Sequence, residues 1–298
     1  MMKSLKIKKD NYGYLFIAPF FITFLVFQMY PIIYSFCLSF VKWDGMSEMK
    51  FVGIKNYKYL IQDTVFYQAM GNTLIIWITN FIPQIIFAVF LAVILNDSKR
   101  KGSGFFKAIF YLPNIVTAAS IGVLFSVLLD WNNGTLNQLL ISMGLLNQPI
   151  NWLNSPFFAR GATSLIQWWM WFGYSMIIFS AGMKAISDDI YEAAKVDGAS
   201  KNQMFWRITL PLLRPTILYT VITSLIGGMQ IFDVPMTLTD GLGSPDKSIL
   251  TIVMYLYNMA FKSNNYGYGA TVAYGLFVII LLVSLLSYKF INRKSVYE

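Results

Sequence analysis

SDDIYEAAKVDGASKNQMFWRITLPLLRP, residues 187–215, is an island of charge in a chain that is otherwise apolar over long stretches. Its local chemistry predicts two short helices meeting at a turn. Asp189 can cap the first helix, with Glu192 three residues on completing a capping-box pattern, and Tyr191 to Val196 supplies good helix formers. Gly198 is suited to the left-handed conformation that closes a helix, and Ser200 with Gln203 repeats the capping pattern for the second one. Pro211 and Pro215 end or bend it. On the first helix Ile190, Ala193, Ala194 and Asp197 share a face whose small alanines leave the backbone open to close approach. The stretch reads as a plug for another surface or as an amphipathic turn beside a membrane.

The rest of the chain supplies the membrane. Hydrophobic residues make up 56% of it, charged residues 12%, and the mean hydropathy is +0.56, values far from those of soluble domains. Six apolar runs, at about 12–41, 66–95, 105–129, 157–183, 212–236 and 268–290, each exceed the roughly 20 residues a bilayer core requires. The first lacks a small-residue cleavage site and reads as an uncleaved span. Six helices put both termini on one side. The amino terminus with Lys3, Lys6, Lys8 and Lys9, the link Asp97 to Lys107, the Glu192 loop from Lys184 to Arg214 and the tail hold 16 of the 23 Lys and Arg residues, which predicts that these four segments are cytoplasmic. The fold class expected is all-α integral membrane, one transmembrane domain over 1–298.

Composition also excludes. There is no histidine, which removes His-based triads, His-ligated metals and His proton relays, and the lone Cys37 permits no internal disulfide. No G-x-x-x-x-G-K-[ST] phosphate loop occurs, and no paired-carboxylate motif suggests an enzyme. The net charge of +9 follows the membrane topology, since the basic residues flank apolar runs and form no nucleic-acid-binding domain.

Glu192, Ala193 and Ala194, then Gly198, then Ile208, Leu210 and Pro211 resemble, at every spacing, the cytoplasmic loop signature (EAA motif) of permease subunits from bacterial binding-protein-dependent ABC importers. Ala18-Pro19, Tyr30-Pro31, Ser39-Phe40, Phe51-Val52-Gly53, Asn56-Tyr57, Gly134 with Asn137, Trp152-Leu153 and Thr239-Asp240-Gly241 extend the likeness to the carbohydrate-uptake branch that serves maltose, lactose and multiple sugars. The resemblance implies a type I importer fold in the bacterial inner membrane. It also implies a coupling helix between helices four and five, carried by Glu192, Ala193, Ala194, Asp197, Gly198, Ile208, Leu210 and Pro211. The implied partners are a second permease subunit, a dimer of ATP-binding subunits holding ATP and Mg, and an extracytoplasmic substrate-binding protein. This chain itself would bind no cofactor.

Polar residues at membrane depth mark a candidate path, because an unpaired polar group in hydrocarbon is costly. Thr216, Thr220, Thr223, Gly227 and Gln230 recur on one face of the fifth run; Ser164, Gln167, Trp168, Trp171 and Ser175 on the fourth; Thr73, Asn80, Pro83 and Gln84 on the second. Each stripe fits either a path or helix packing through small and polar residues. Trp168, Trp169 and Trp171 lie near mid-span, away from the aromatic belts, and an indole can stack on the C–H face of a sugar while amides and hydroxyls take its hydroxyl groups. By resemblance, Trp171-Phe172-Gly173-Tyr174 and the segment from Ser224 to Phe232 correspond to the transmembrane sugar site of the maltose permease. The candidate set is therefore Asn80, Trp168, Trp171, Gly173, Tyr174, Thr223, Ser224, Gly227, Gln230 and Asp233. Asp233 could bind a hydroxyl-rich ligand or lock neighbouring helices. With no cation at mid-span, a neutral sugar fits better than glycerol phosphate. An ion-coupled secondary transporter is the alternative, and it would need buried carboxylates or broken helices.

Overall fold

The computed structural model describes residues 12–96 and 102–292. Lys3, Lys6, Lys8, Lys9, Asp97, Lys99, Arg100, Lys101, Arg293 and Lys294, on which much of the charge asymmetry rests, lie outside the described residues. The helices run in the order α1 (Tyr12–Phe24), α2 (Tyr30–Leu38), α3 (Lys55–Gln62), α4 (Thr64–Leu95), α5 (Ser103–Ile115), α6 (Ala118–Leu128), α7 (Thr135–Ser142), α8 (Pro156–Lys184), α9 (Asp188–Val196), α10 (Lys201–Met204), α11 (Leu210–Leu212), α12 (Arg214–Gly228), α13 (Asp233–Leu238), α14 (Ile252–Tyr257) and α15 (Tyr266–Asn292). The described strands are a two-residue antiparallel pair, β1 (Val41–Lys42) with β2 (Lys50–Phe51).

All six predicted runs fall on helix, and among the described residues length and composition alone single out four segments able to cross a membrane: Gly13–Leu38, Thr64–Leu95, Arg214–Leu238 and Tyr266–Lys289. The other two runs depart from plain apolar spans. The third run is no straight span: α5 and α6 are bent by 88° at Val116 and Thr117, and together they would make a fifth span only if the pair counts as one. The physical cause is local, since both residues are extended and the Thr117 side chain caps α6 by accepting from the Ser120 amide. The fourth run, α8, is long but not apolar enough to qualify; Gln167, Tyr174, Ser175 and its tryptophans dilute it.

Two of the π-helical turns have a shared cause. Leu25–Met29 and Phe205–Thr209 each end two residues before a proline, Pro31 and Pro211. A proline offers no N–H to the helix and crowds the preceding turn, and widening that turn absorbs the mismatch without ending the helix.

The described residues divide into two compact units, 12–62 with 256–275, and 63–255 with 276–292. In the first unit nothing between Gly13 and Leu38 is buried. Its organising group is Asn56, whose amide donates to the Ser39 and Val41 carbonyls at 2.9 and 3.0 Å, while the Tyr57 and Ser39 hydroxyls pair at 2.7 Å. Thr271 of α15 donates to that same Ser39 carbonyl. Several residues of the family resemblance thus hold the turn after α2 against the start of α15.

In the second unit α4 and α8 form the most extensive helix pair, with one apolar cluster toward each end. One gathers Ile76, Ile121, Ile166, Met170, Ile231, Val234 and Ile249; the other gathers Ala88, Leu91, Ala92, Phe172, Met176, Phe179 and Leu213. The polar mid-helix residues lie between them. Separately, α7 and its flanks are tied by buried Asn137, which donates to the Trp131 and Ile150 carbonyls and accepts from the Ile150 amide and Trp152 indole. Gly134 is required there because a Cβ would stand 2.2 Å from the Asp130 carbonyl oxygen.

Candidate functional site

Between the two apolar clusters is a cavity of about 130 Å³. Helix α4 contributes Trp77, Asn80 and Gln84; α8 contributes Gln167, Trp171, Tyr174 and Ser175; α12 contributes Thr220, Thr223, Ser224, Gly227 and Gly228; Ile231 completes the lining. The spacings 77, 80, 84 and 167, 171, 174 repeat every three or four residues, which keeps each set on one helix face. No lining residue is charged.

The wall is held by its own polar groups. Gln84 Nε2 donates to Ser175 Oγ at 2.7 Å, Trp77 Nε1 donates to Ser224 Oγ at 3.2 Å, and the Asn80 amide turns back to the Ile76 carbonyl at 2.8 Å. The Thr223 hydroxyl donates to the Tyr219 carbonyl of its own helix at 2.8 Å. Trp171 and Tyr174 meet edge to face at 5.8 Å, and Trp171, 41% exposed, forms the open rim. The result is an aromatic body edged by hydroxyls and amides, the combination that takes up neutral polar molecules with apolar ring faces.

Six of the ten candidate path residues line this cavity: Asn80, Trp171, Tyr174, Thr223, Ser224 and Gly227. Four do not. Trp168 stacks on Phe172 at 5.3 Å and leans on Phe87 at 5.4 Å, and with Ile82, Ile86 and Phe90 it borders a separate apolar groove; its buried Nε1 has no hydrogen-bond partner. Gly173 faces α5, where a Cβ would lie 1.9 Å from the Phe110 carbonyl oxygen. Gln230 and Asp233 come after α12 ends at Gly228; both are exposed, and Asp233 opens the short helix α13. Trp77 is the lining residue that neither the polar stripes nor the two resembling segments included.

Gly228 is fixed by that tryptophan. A Cβ on it would stand 1.9 Å from Trp77 Cδ1, so the indole lies flat on bare backbone. Gly228→Ala is expected to push Trp77 off Ser224 and lower stability by about 1–3 kcal/mol, the usual range for overpacking. Thermal unfolding beside Gly227→Ala, which meets nothing within 4 Å, checks this; equal midpoints would refute it.

The 187–215 stretch forms a second candidate surface. The cap of α9 is Ser187, not Asp189: Ser187 is extended, and its Oγ accepts from the Asp189 amide. Asp188 and Asp189 then sit in the first turn, where the positive end of the helix dipole favours them. Gly198 has φ +76°, with its amide donating to the Lys195 carbonyl and that of Ala199 to the Ala194 carbonyl, the paired bonds of a Schellman closure. Ser200 and Gln203 form a full capping box. The Tyr191 and Thr209 hydroxyls meet at 2.9 Å and join the two arms. No residue of α9 is buried; Ile190 and Val196 are exposed, as are Glu192, Ala193, Asp197 and Pro211, while Ala194, Ile208 and Leu210 are half-buried. Among the described residues nothing covers Ile190 or Val196.

Residues 75–296 match the family described as binding-protein-dependent transport system inner membrane component. The lactose transport system permease protein LacF of Rhizobium radiobacter is 39% identical over 286 residues, 96% of this chain and 94% of that protein. The arabinooligosaccharides transport system permease protein AraP of Bacillus subtilis (strain 168) is 36% identical over 288 residues, 96% of this chain and 90% of that protein. In fold, the chain is similar to the crystal structure of a bacterial ABC transporter involved in the import of the acidic polysaccharide alginate, with a TM-score of 0.83 at 25% identity over 97% of this chain and 98% of that one.

Proposed function

The chain belongs to the family of binding-protein-dependent transport system inner membrane components, and we propose that it forms half of the path by which an ATP-driven importer carries a neutral sugar or oligosaccharide. The observation that carries the substrate class is the cavity wall: indole and phenol faces, amides and hydroxyls, and no charge. An anionic solute such as glycerol phosphate would draw on cationic donors, and the lining has none. Ion coupling through Asp233 has little support, because that carboxylate is exposed and outside the cavity.

The exposed 187–211 loop is the proposed seat for an ATP-binding subunit, with Glu192, Ala193, Ala194, Asp197, Gly198, Ile208, Leu210 and Pro211 transmitting its closure. In this reading the loop and both termini face the cytoplasm. A second permease completes the path, a dimer of ATP-binding subunits holds ATP and Mg, and an extracytoplasmic binding protein delivers the sugar. Gentle detergent extraction followed by mass spectrometry, then reconstitution of whatever co-purifies, tests the whole reading. An ATPase, a second permease and ATP-dependent uptake of labelled oligosaccharide are the expected outcome; a lone chain that moves solute down an ion gradient would overturn it.

Within the cavity, Trp171→Ala is expected to cut uptake of limiting sugar about tenfold, the factor of about 1.4 kcal/mol. Trp168→Phe, altering an indole packed elsewhere, is expected to leave sugar preference unchanged. Equal effects of the two would remove Trp171 from the path.

A further inference from the structure

Above the cavity, toward the Thr64 end of α4, the chain after α13 turns through left-handed Asp240, Asp246 and Lys247 and then runs inward, with residues 248–252 buried. An irregular backbone at this depth must have its carbonyls satisfied by something. Side chains of the two core helices do so. Arg160 of α8 donates through Nε to the Ser248 carbonyl at 3.0 Å and through Nη2 to Asn72 Oδ1 at 2.8 Å. Asn72 of α4 donates in turn to the Lys247 and Leu250 carbonyls at 2.6 and 3.1 Å, and Gln68 to that of Asp246 at 2.9 Å.

Two contacts connect this fastening to the cavity. Thr73 Oγ1 accepts from the Ile252 amide, one helical turn before the cavity residue Trp77; the Thr251 hydroxyl donates at 2.7 Å to the carbonyl of Ile231, which also lines the cavity. Ile231 lies in the break between α12 and α13, so the carrier of the segment is already jointed there. The segment is therefore tied to one lining residue directly and to the lining face of α4 through Thr73.

The geometry points to residues 239–252 as a releasable cover on the outer mouth of the cavity, latched shut by Arg160 and Asn72. The claim rests on the importer reading for which side is outer. The fastening is suited to release: it consists of a few side-chain bonds to carbonyls, each of modest net worth, and two of its three donors, Gln68 and Arg160, are not fully buried. The closed state also contains a cost, because the buried Ser248 hydroxyl has no partner while its own carbonyl is held by Arg160. Arg160 thus acts as a positioning residue that never touches substrate.

The test uses the complete complex in right-side-out vesicles, without nucleotide, carrying Thr223→Cys as a cavity reporter and Cys37→Ser to remove the exposed native thiol. Thr223 bonds only carbonyls of its own helix, so the reporter disturbs little. A membrane-impermeant maleimide is added from outside. Arg160→Met is expected to raise the labelling rate about tenfold, and Arg160→Lys, which lacks the forked donor, to give an intermediate rate. Ser248→Ala, which removes the orphan hydroxyl, is expected to lower it. A merely structural role would not move the two in opposite directions. Unchanged labelling in Arg160→Met at normal protein level, or a rise in both variants, would overturn the latch. Should Arg160→Met fail to accumulate, Gln68→Ala and Ser248→Ala make the same opposed pair. ATP-dependent uptake by the complex without the Thr223 reporter scores the importer reading separately, since the labelling pattern needs no ATP.

Discussion

Membranes from cells producing Gly173→Val are expected to contain little of the protein. A Cβ at this position would lie 1.9 Å from the Phe110 carbonyl oxygen, 2.5 Å from its carbon and 2.9 Å from the Tyr111 nitrogen. All three are backbone atoms, so no rotamer change relieves the clash; α5 must move bodily away from α8. Helix association in a bilayer depends on close van der Waals contact through small residues, and a shift of this size forfeits it along the interface. Even Gly173→Ala should cost more than the 1–3 kcal/mol or so typical of overpacking. Gly161→Ala on the same helix, with nothing within 4 Å, is the control. Steady-state level and detergent-solubilised unfolding midpoint are the readouts, and parity of the two alanine variants would refute the packing assignment. The sequence likeness places Gly173 in a sugar-site segment; its position against α5 gives it a packing reason to be glycine.

Gly198→Val is expected to have the opposite profile: normal protein level and ATP-driven uptake reduced tenfold or more. The site has open space, so nothing clashes, but φ is +76°. A β-branched residue is an outlier there, with a penalty of about 1–2 kcal/mol, and the loop can relieve it by abandoning the Schellman bonds. Doing so re-aims α9 against the Ser200 capping box. Since no residue of α9 is fully buried among the described residues and the Tyr191–Thr209 bond is its one named side-chain tie, the fold loses little; a docking surface would lose its aim. Gly198→Asn, tolerant of left-handed backbone, should retain most uptake. Reconstituted uptake and ATPase stimulation decide the matter, and full coupled activity in Gly198→Val would end the role proposed for the turn.

What could be read from the sequence divides along physical lines. Capping chemistry is local, so the end at Gly198 and the Ser200–Gln203 box were legible in residue types alone. The α9 cap was not, because Ser187, Asp188 and Asp189 are all competent and only the backbone decides among them. The 88° bend at Val116 and Thr117 has no glycine or proline at its vertex, and Pro113, the nearest breaker, lies three residues earlier inside α5. Helical stripes found eight cavity residues on three helices: Asn80, Gln84, Gln167, Trp171, Ser175, Thr220, Thr223 and Gly227. The stripe failed at Gln230 because it was extrapolated across the break after Gly228, where helical phase no longer holds, and Asp233 lies beyond the same break. Trp77 escaped because its one polar atom does not make a polar stripe, although Thr73, Trp77, Asn80 and Gln84 keep strict helical spacing.

The attachment of the 246–250 segment has a consequence for how such a protein diversifies. Gln68, Asn72 and Arg160 grip main-chain carbonyls, which every residue type possesses, and none of these bonds reads a side chain of the segment they hold. Leu242, Asp246 and Lys247 are exposed on the same stretch. Their identities are thereby released from the duty of holding the loop. Under selection, this surface can be rewritten while the anchorage beneath it stays as it is.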